Sequence, residues 1–255
     1  LTEAGTERGN RTPGVGPAVV LIALYAVGIQ LAALLLAGIL GPEWLWRSLL
    51  LAECLFLAWL MTFLRRYEPE SLGIRKVSWH EGITIVLWFQ AIAFASDAVV
   101  LWLAPDTLIE SYLQAFTPVV PAEWLGLAGV AILTAPILEE LLFRGLLLSA
   151  LSARFTLHTA ILGSTLLFAA VHVKPIQVIA ALPLGYMLAA YVARGGSLYV
   201  TAIAHILGNG FSFLGLVLPG IPWISADWHP DTLSGLGSLL VALGLLALFT
   251  NRYPP

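Results

Sequence analysis

Cys54 is the only cysteine in 255 residues, so no disulfide can form within the chain, and neither a zinc knuckle nor a CxxC redox site can be built. Charge is scarce as well: 12 Lys and Arg and 15 Asp and Glu make up 11% of the residues. With a formal net charge of -3, an isoelectric point near 5.9 and no basic run, the chain has no footing for a nucleic-acid partner. Internal repeats and low-complexity tracts are absent, and so is the H-E-x-x-H arrangement that presents two zinc-binding histidines and a glutamate on one helix. What remains is apolar. Hydrophobic residues are 59% of the chain and the mean hydropathy is +0.91, which places it among integral membrane proteins.

A helix rises about 1.5 Å per residue across an apolar layer about 30 Å thick, so a span takes about 20 apolar residues. Eight segments meet or approach that length, at about 17–40, 44–64, 81–104, 124–151, 157–173, 176–193, 197–218 and 232–250, the fifth and sixth being short. The expected fold is all-α: a polytopic bundle of about eight transmembrane helices in one membrane domain, 17–255, behind a polar tail, 1–16. The first apolar run, Val19 to Leu40, is too long for a signal-peptide core and reads as a retained span. Basic residues then set the orientation. With the N-terminus in the cytoplasm, Arg8, Arg11, Arg65, Arg66, Arg75, Lys76, Arg154, Arg194 and Arg252 fall inside and only Arg47 and Lys174 outside, so both termini are expected to be cytoplasmic. Trp44, Trp46, Trp102, Trp124, Trp223 and Trp228 gather near the outer interface, as an aromatic belt does. Between Pro105 and Pro118, Leu108, Tyr112 and Phe116 recur at helical spacing, which suggests a short amphipathic helix on that surface, read as an interfacial connection in preference to a lid.

Ionisable side chains inside a membrane are penalised by roughly 2.5 to 3.5 kcal/mol on insertion scales and are usually kept for function. Three motifs hold most of them: Glu139-Glu140-x-x-x-Arg144, Phe168-x-x-x-His172 and His205-x-x-x-Asn209, all within an expected catalytic core of about 124–218. Residues four apart share a helix face, so Glu140 can pair with Arg144 while Glu139, turned by about 100°, faces elsewhere. Glu140 and Arg144 therefore read as a supporting ion pair, and Glu139 as the carboxylate left to take a proton from water. His172 lies just before Lys174-Pro175, where the chain must turn, and is expected to reach a cavity. His205 and Asn209 share one face and can both donate hydrogen bonds to a developing oxyanion. Glu53 and Asp97, also within spans, match no motif and read as structural or interfacial; His80, His158 and His229 read as surface residues. Zinc held by Glu and two His is the rival chemistry; with Glu139 kept as the base only two good ligands remain, so metal-free water activation without a cofactor is the expected reading and zinc stays open as the alternative.

The three motifs, in this order, resemble those of the CPBP or Abi intramembrane proteases, which include Rce1-type CAAX prenyl endopeptidases and bacteriocin self-immunity proteins. Leu72-Gly73-Ile74-Arg75 is similar to a short element between early spans of that family. The resemblance implies an endopeptidase in which Glu139 activates water with help from His172, while His205 and Asn209 stabilise the tetrahedral oxyanion and Glu140, Arg144 and Phe168 support them. Its partners would be membrane lipid and a peptide or protein substrate, lipid-modified in some members. The abundance of Ala, Leu, Gly and Trp suits a bacterial inner membrane. Two rivals from other classes are a non-proteolytic immunity or partner-binding membrane protein, and a small transporter with a proton relay through Glu139 and His172.

Overall fold

The computed structural model describes residues 12–218 and 230–253, and every regular element among them is helical. In chain order these are α1 (Val15–Leu40), α2 (Pro42–Leu64), α3 (Trp79–Leu103), α4 (Asp106–Phe116), α5 (Glu123–Ser152), α6 (Leu157–Ala170), α7 (Pro175–Ala193), α8 (Leu198–Val217) and α9 (Thr232–Arg252). Seven of them are long and apolar enough to cross a membrane. The fifth expected span differs: α6 has 14 residues, about 21 Å of helix, too little for a 30 Å apolar layer. The expected tail is also shorter, since α1 begins at Val15. Trp223, Trp228 and His229 lie outside the described residues, whereas His80 and His158 are exposed, as surface residues should be.

Capping side chains mark several starts. Ser78 accepts the Glu81 N–H at the head of α3, and with the glutamate at the third helical position this is the sequence pattern of a capping box. Asp231 does the same for Ser234 at the head of α9. At α2, whose first amides lack partners inside their own helix, the acceptor comes from another element: Glu123 takes the Trp46 N–H at 2.6 Å and also pairs with the Arg47 guanidinium. Gly126 makes this possible, because a Cβ there would lie 2.9 Å from the Arg47 backbone nitrogen.

α5 is the central helix, touched by α1, α2, α6, α7 and α8. Of its most apolar stretch 56% is buried inside the protein, against 22% for α1 and 17% for α9. The outer faces of α1 and α9 leave Leu35, Ile39 and Leu240 exposed, an apolar surface suited to lipid. The Leu72–Arg75 element is fastened to the helices that carry the motifs. Leu198 N–H donates to Gly73 O at 2.8 Å, Ser197 Oγ to Arg75 O at 2.6 Å, and Ser149 Oγ to Ser71 O at 2.6 Å. Gly73 turns the chain there with φ 74°, a conformation that glycine takes without steric penalty.

Candidate active site

Two widened turns interrupt α5, at Gly129–Thr134 and Glu140–Leu147. In such a turn a carbonyl accepts from the N–H five residues on. Pro136 stands five residues after Ala131 and has no N–H to give. Asn209 of α8 supplies the missing donor, its side-chain amide reaching Ala131 O at 2.8 Å. One N–H of Asn209 thus holds α8 against α5, and its second N–H and its oxygen make no hydrogen bond among the described residues.

Glu140 opens the second widened turn and sits at a junction. Its Oε1 accepts from Arg144 Nη1 at 2.8 Å and meets His205 Nδ1 at 3.0 Å. An ionised carboxylate only accepts, so the His205 proton facing it is on Nδ1. Arg144 is fully buried. It donates to Gly185 O at 3.4 Å and its guanidinium carbon lies 4.0 Å above the Phe168 ring, which draws α6 and α7 to the same point. Phe168 in turn packs edge-on against both His172 and His205.

Glu139, one residue earlier and on another face, is buried between two partners. Tyr25 of α1 donates its hydroxyl to Oε1 at 3.2 Å. Oε2 lies 3.7 Å from His205 Nε2, too far for a hydrogen bond yet close enough for one water to touch both. His205 therefore stands between the two adjacent glutamates, with Nδ1 on Glu140 and Nε2 facing Glu139.

His172 follows α6 in a tight turn that Val173 closes at φ 61°, a conformation costing a β-branched residue about 1–2 kcal/mol. Its Nδ1 lies 2.8 Å from Phe168 O. A carbonyl accepts only, so that nitrogen carries the proton and the Nε2 lone pair is free to receive one. His172, His205 and Asn209 all line a cavity of about 240 Å³ between α3, α4, α5, α6, α7 and α8. Glu139 does not line it and reaches its edge through His205; no hydrogen bond joins Glu139 to His172 among the described residues.

Two sequence expectations change here. The 106–116 segment is not a plain surface connection: Ile109, Tyr112 and Phe116 form part of the cavity wall, so α4 covers it. Asp97, read as structural or interfacial, also lines the cavity. Burial and then the Asp97 carboxyl push the Tyr112 phenol up to about 12, which makes the two near neighbours. Glu53 is buried and accepts a hydrogen bond from Thr134 of α5. Tyr25 carried no sequence signal at all, being one aromatic in an apolar run.

Against known proteins, residues 121–211 match the type II CAAX prenyl endopeptidase Rce1-like family. This chain carries an Rce1-like region. The protein named "Putative membrane peptidase YdiL" of Bacillus subtilis (strain 168) is 26% identical over 180 residues, covering 68% of this chain and 72% of the relative. No solved structure matches the chain significantly. All seven motif residues fall inside the Rce1-like region, and Tyr25 and Asp97 fall outside it.

Among the described residues no three His, Cys, Asp or Glu side chains gather closely enough to hold an ion. In the Rce1-like region, Glu140 Oε1 is already shared by Arg144 and His205, and the His172 Nδ1 is turned to Phe168 O.

Gly185 is the contact on which the Arg144 and Phe168 packing rests, since a Cβ there would meet Phe168 Cδ1 at 2.8 Å. Gly185→Ala is expected to lower stability by about 1–3 kcal/mol through overpacking, read as a lower unfolding temperature of the detergent-purified protein; an unchanged temperature would show that Phe168 has room to move.

Proposed function

We propose that this integral membrane protein is an intramembrane endopeptidase that cleaves a peptide bond near the C-terminus, or in a membrane-adjacent segment, of a hydrophobic or lipid-modified substrate. The observation that carries the reading is the 3.7 Å gap between Glu139 Oε2 and His205 Nε2, beside a cavity whose walls hold His172 and Asn209. Match to the Rce1-like family and similarity to a protein named as a membrane peptidase support the same class.

In this mechanism a water beside the Glu139–His205 pair, within reach of both, gives its proton to Glu139, and its oxygen adds to the carbonyl carbon of the substrate. The carbonyl electron pair moves to oxygen, which accepts hydrogen bonds from the free Asn209 N–H and from His205 in its doubly protonated form, with Nδ1–H on Glu140 and Nε2–H on the oxyanion, a charge balanced by the two adjacent glutamates. The proton then passes to the amide nitrogen as the C–N bond breaks, leaving a carboxylic acid and an amine. His172, which lines the cavity and has its Nε2 lone pair free, assists the proton transfers. Tyr25 is a positioning residue that fixes the rotation of the Glu139 carboxyl. We propose a bacterial inner membrane, from the abundance of Ala, Leu, Gly and Trp, with both termini in the cytoplasm, from the basic-residue count.

Glu139→Gln is expected to abolish cleavage in a folded, detergent-extracted protein and to retain bound substrate for identification by mass spectrometry; turnover at the wild-type rate would sink the mechanism. A strong zinc chelator should leave wild-type activity intact, whereas loss that zinc restores would overturn metal-free activation. Tyr25→Phe keeps the ring stacked near Phe56 and removes only the hydroxyl. It is expected to lower kcat by about tenfold, the ratio set by about 1.4 kcal/mol, with KM unchanged; an unaltered kcat would reduce Tyr25 to packing.

A further inference from the structure

Asp97 is six residues from the end of α3 and serves no step above. Its carboxyl lines the main cavity and also a second, smaller one of about 20 Å³ shared with Gln90, Gly208 and Ser212. No hydrogen bond or ion pair engages Asp97 among the described residues, although a carboxyl among apolar helices is costly without a partner. Two turns back on the same helix face, Gln90 donates its amide N–H to Ala204 O at 3.0 Å, and its Oε1 is buried without any partner. In the smaller cavity the free groups are thus mainly acceptors, the Asp97 oxygens and Gln90 Oε1, with the Ser212 hydroxyl able to accept; the Tyr112 phenol and the Asn209 amide line only the main cavity. Such a set calls for a ligand that donates and does not accept. An ammonium has three donors and no acceptor, and a space of about 20 Å³ takes one group of water size. A planar guanidinium is larger than that. Neither Lys nor Arg lines either cavity, so the protein itself provides no such cation there.

Distance ties the spot to the chemistry. Gly208 and Ser212 follow His205 on α8 by three and seven residues, about 5 and 10 Å of helix. An extended chain covers that in about three residues. We propose that the Asp97, Gln90 and Ser212 pocket is a specificity subsite for an ammonium group of the substrate, a lysine side chain or a free α-amino group, within about three residues of the scissile bond. The proposal rests on the endopeptidase reading, and it names a polar requirement for an otherwise apolar substrate.

The test is a binding measurement on the full chain in phosphatidylcholine nanodiscs, in the Glu139→Gln background. The probes are N-acetylated, fluorescein-labelled apolar nonapeptides in which one lysine is walked through the sequence, each paired with its norleucine counterpart. In one register lysine is expected to bind about tenfold tighter than norleucine, as a charge-assisted hydrogen bond allows. Asp97→Asn should abolish that preference while still binding the norleucine peptide, which shows that the variant is folded, and Asp97→Glu should keep it. Equal affinity of lysine and norleucine in every register, or a preference that survives Asp97→Asn, would overturn the subsite. Cleavage of the norleucine peptides by the wild type, without lysine preference, would overturn the subsite alone; failure of every peptide to bind would overturn the endopeptidase reading with it.

Discussion

A guanidinium buried among membrane helices has to be matched on the spot, and here the match is a single carboxyl oxygen. Glu140 Oε1 meets both Arg144 and His205, and Arg144 extends the junction to Gly185 O and to the Phe168 ring. Four helices, α5 to α8, are thereby fixed relative to one another at the depth where the polar groups lie. Breaking such a pair by removing one partner leaves a buried charge uncompensated, at about 3–5 kcal/mol. The position of every candidate reactive group depends on this junction. His205 is oriented by it directly, His172 through Phe168, and Glu139 because it is the next residue along the same helix.

Irregular backbone supplies the rest of the geometry. Pro136 withholds a hydrogen bond from Ala131 O, and the Asn209 amide that fills the vacancy also brings the second wall of the cavity into place. α6 is too short to cross on its own, so its end and the His172 turn can lie within the apolar layer. Non-helical backbone is tolerated at that depth only where it faces protein or a water-filled space, and His172 faces the cavity. Structure and proposed chemistry thus share their departures from regular helix.

The spans were legible because a membrane helix must be about 20 residues of nearly unbroken apolar sequence, and the long runs at α1, α5 and α9 have no other reading. Six of the seven motif residues were legible because charged, imidazole and amide groups are conspicuous against such a background, whereas Phe168 was picked out only by its place in the second motif. Tyr25 was not: a tyrosine in an apolar run looks the same whether its hydroxyl faces lipid headgroups or a glutamate 114 residues away. Asp97 stood out as costly, but which of its faces meets a cavity depends on how α3, α4 and α8 pack, which no local pattern records. Helical spacing located α4 but could not say what it covers. The fifth expected span failed for a similar reason, since apolar residues run past Ala170 while the backbone already turns there.

Two adjacent glutamates given different work is the central claim, and comparing their neutral isosteres tests it most directly. The unfolding temperature of detergent-purified Glu140→Gln should fall by the equivalent of about 3–5 kcal/mol, because Arg144 loses its counter-charge. Glu139→Gln keeps an acceptor for Tyr25 and should stay within about 1 kcal/mol of the wild type. Equal losses, or a larger loss for Glu139→Gln, would contradict the division into one reagent and one support.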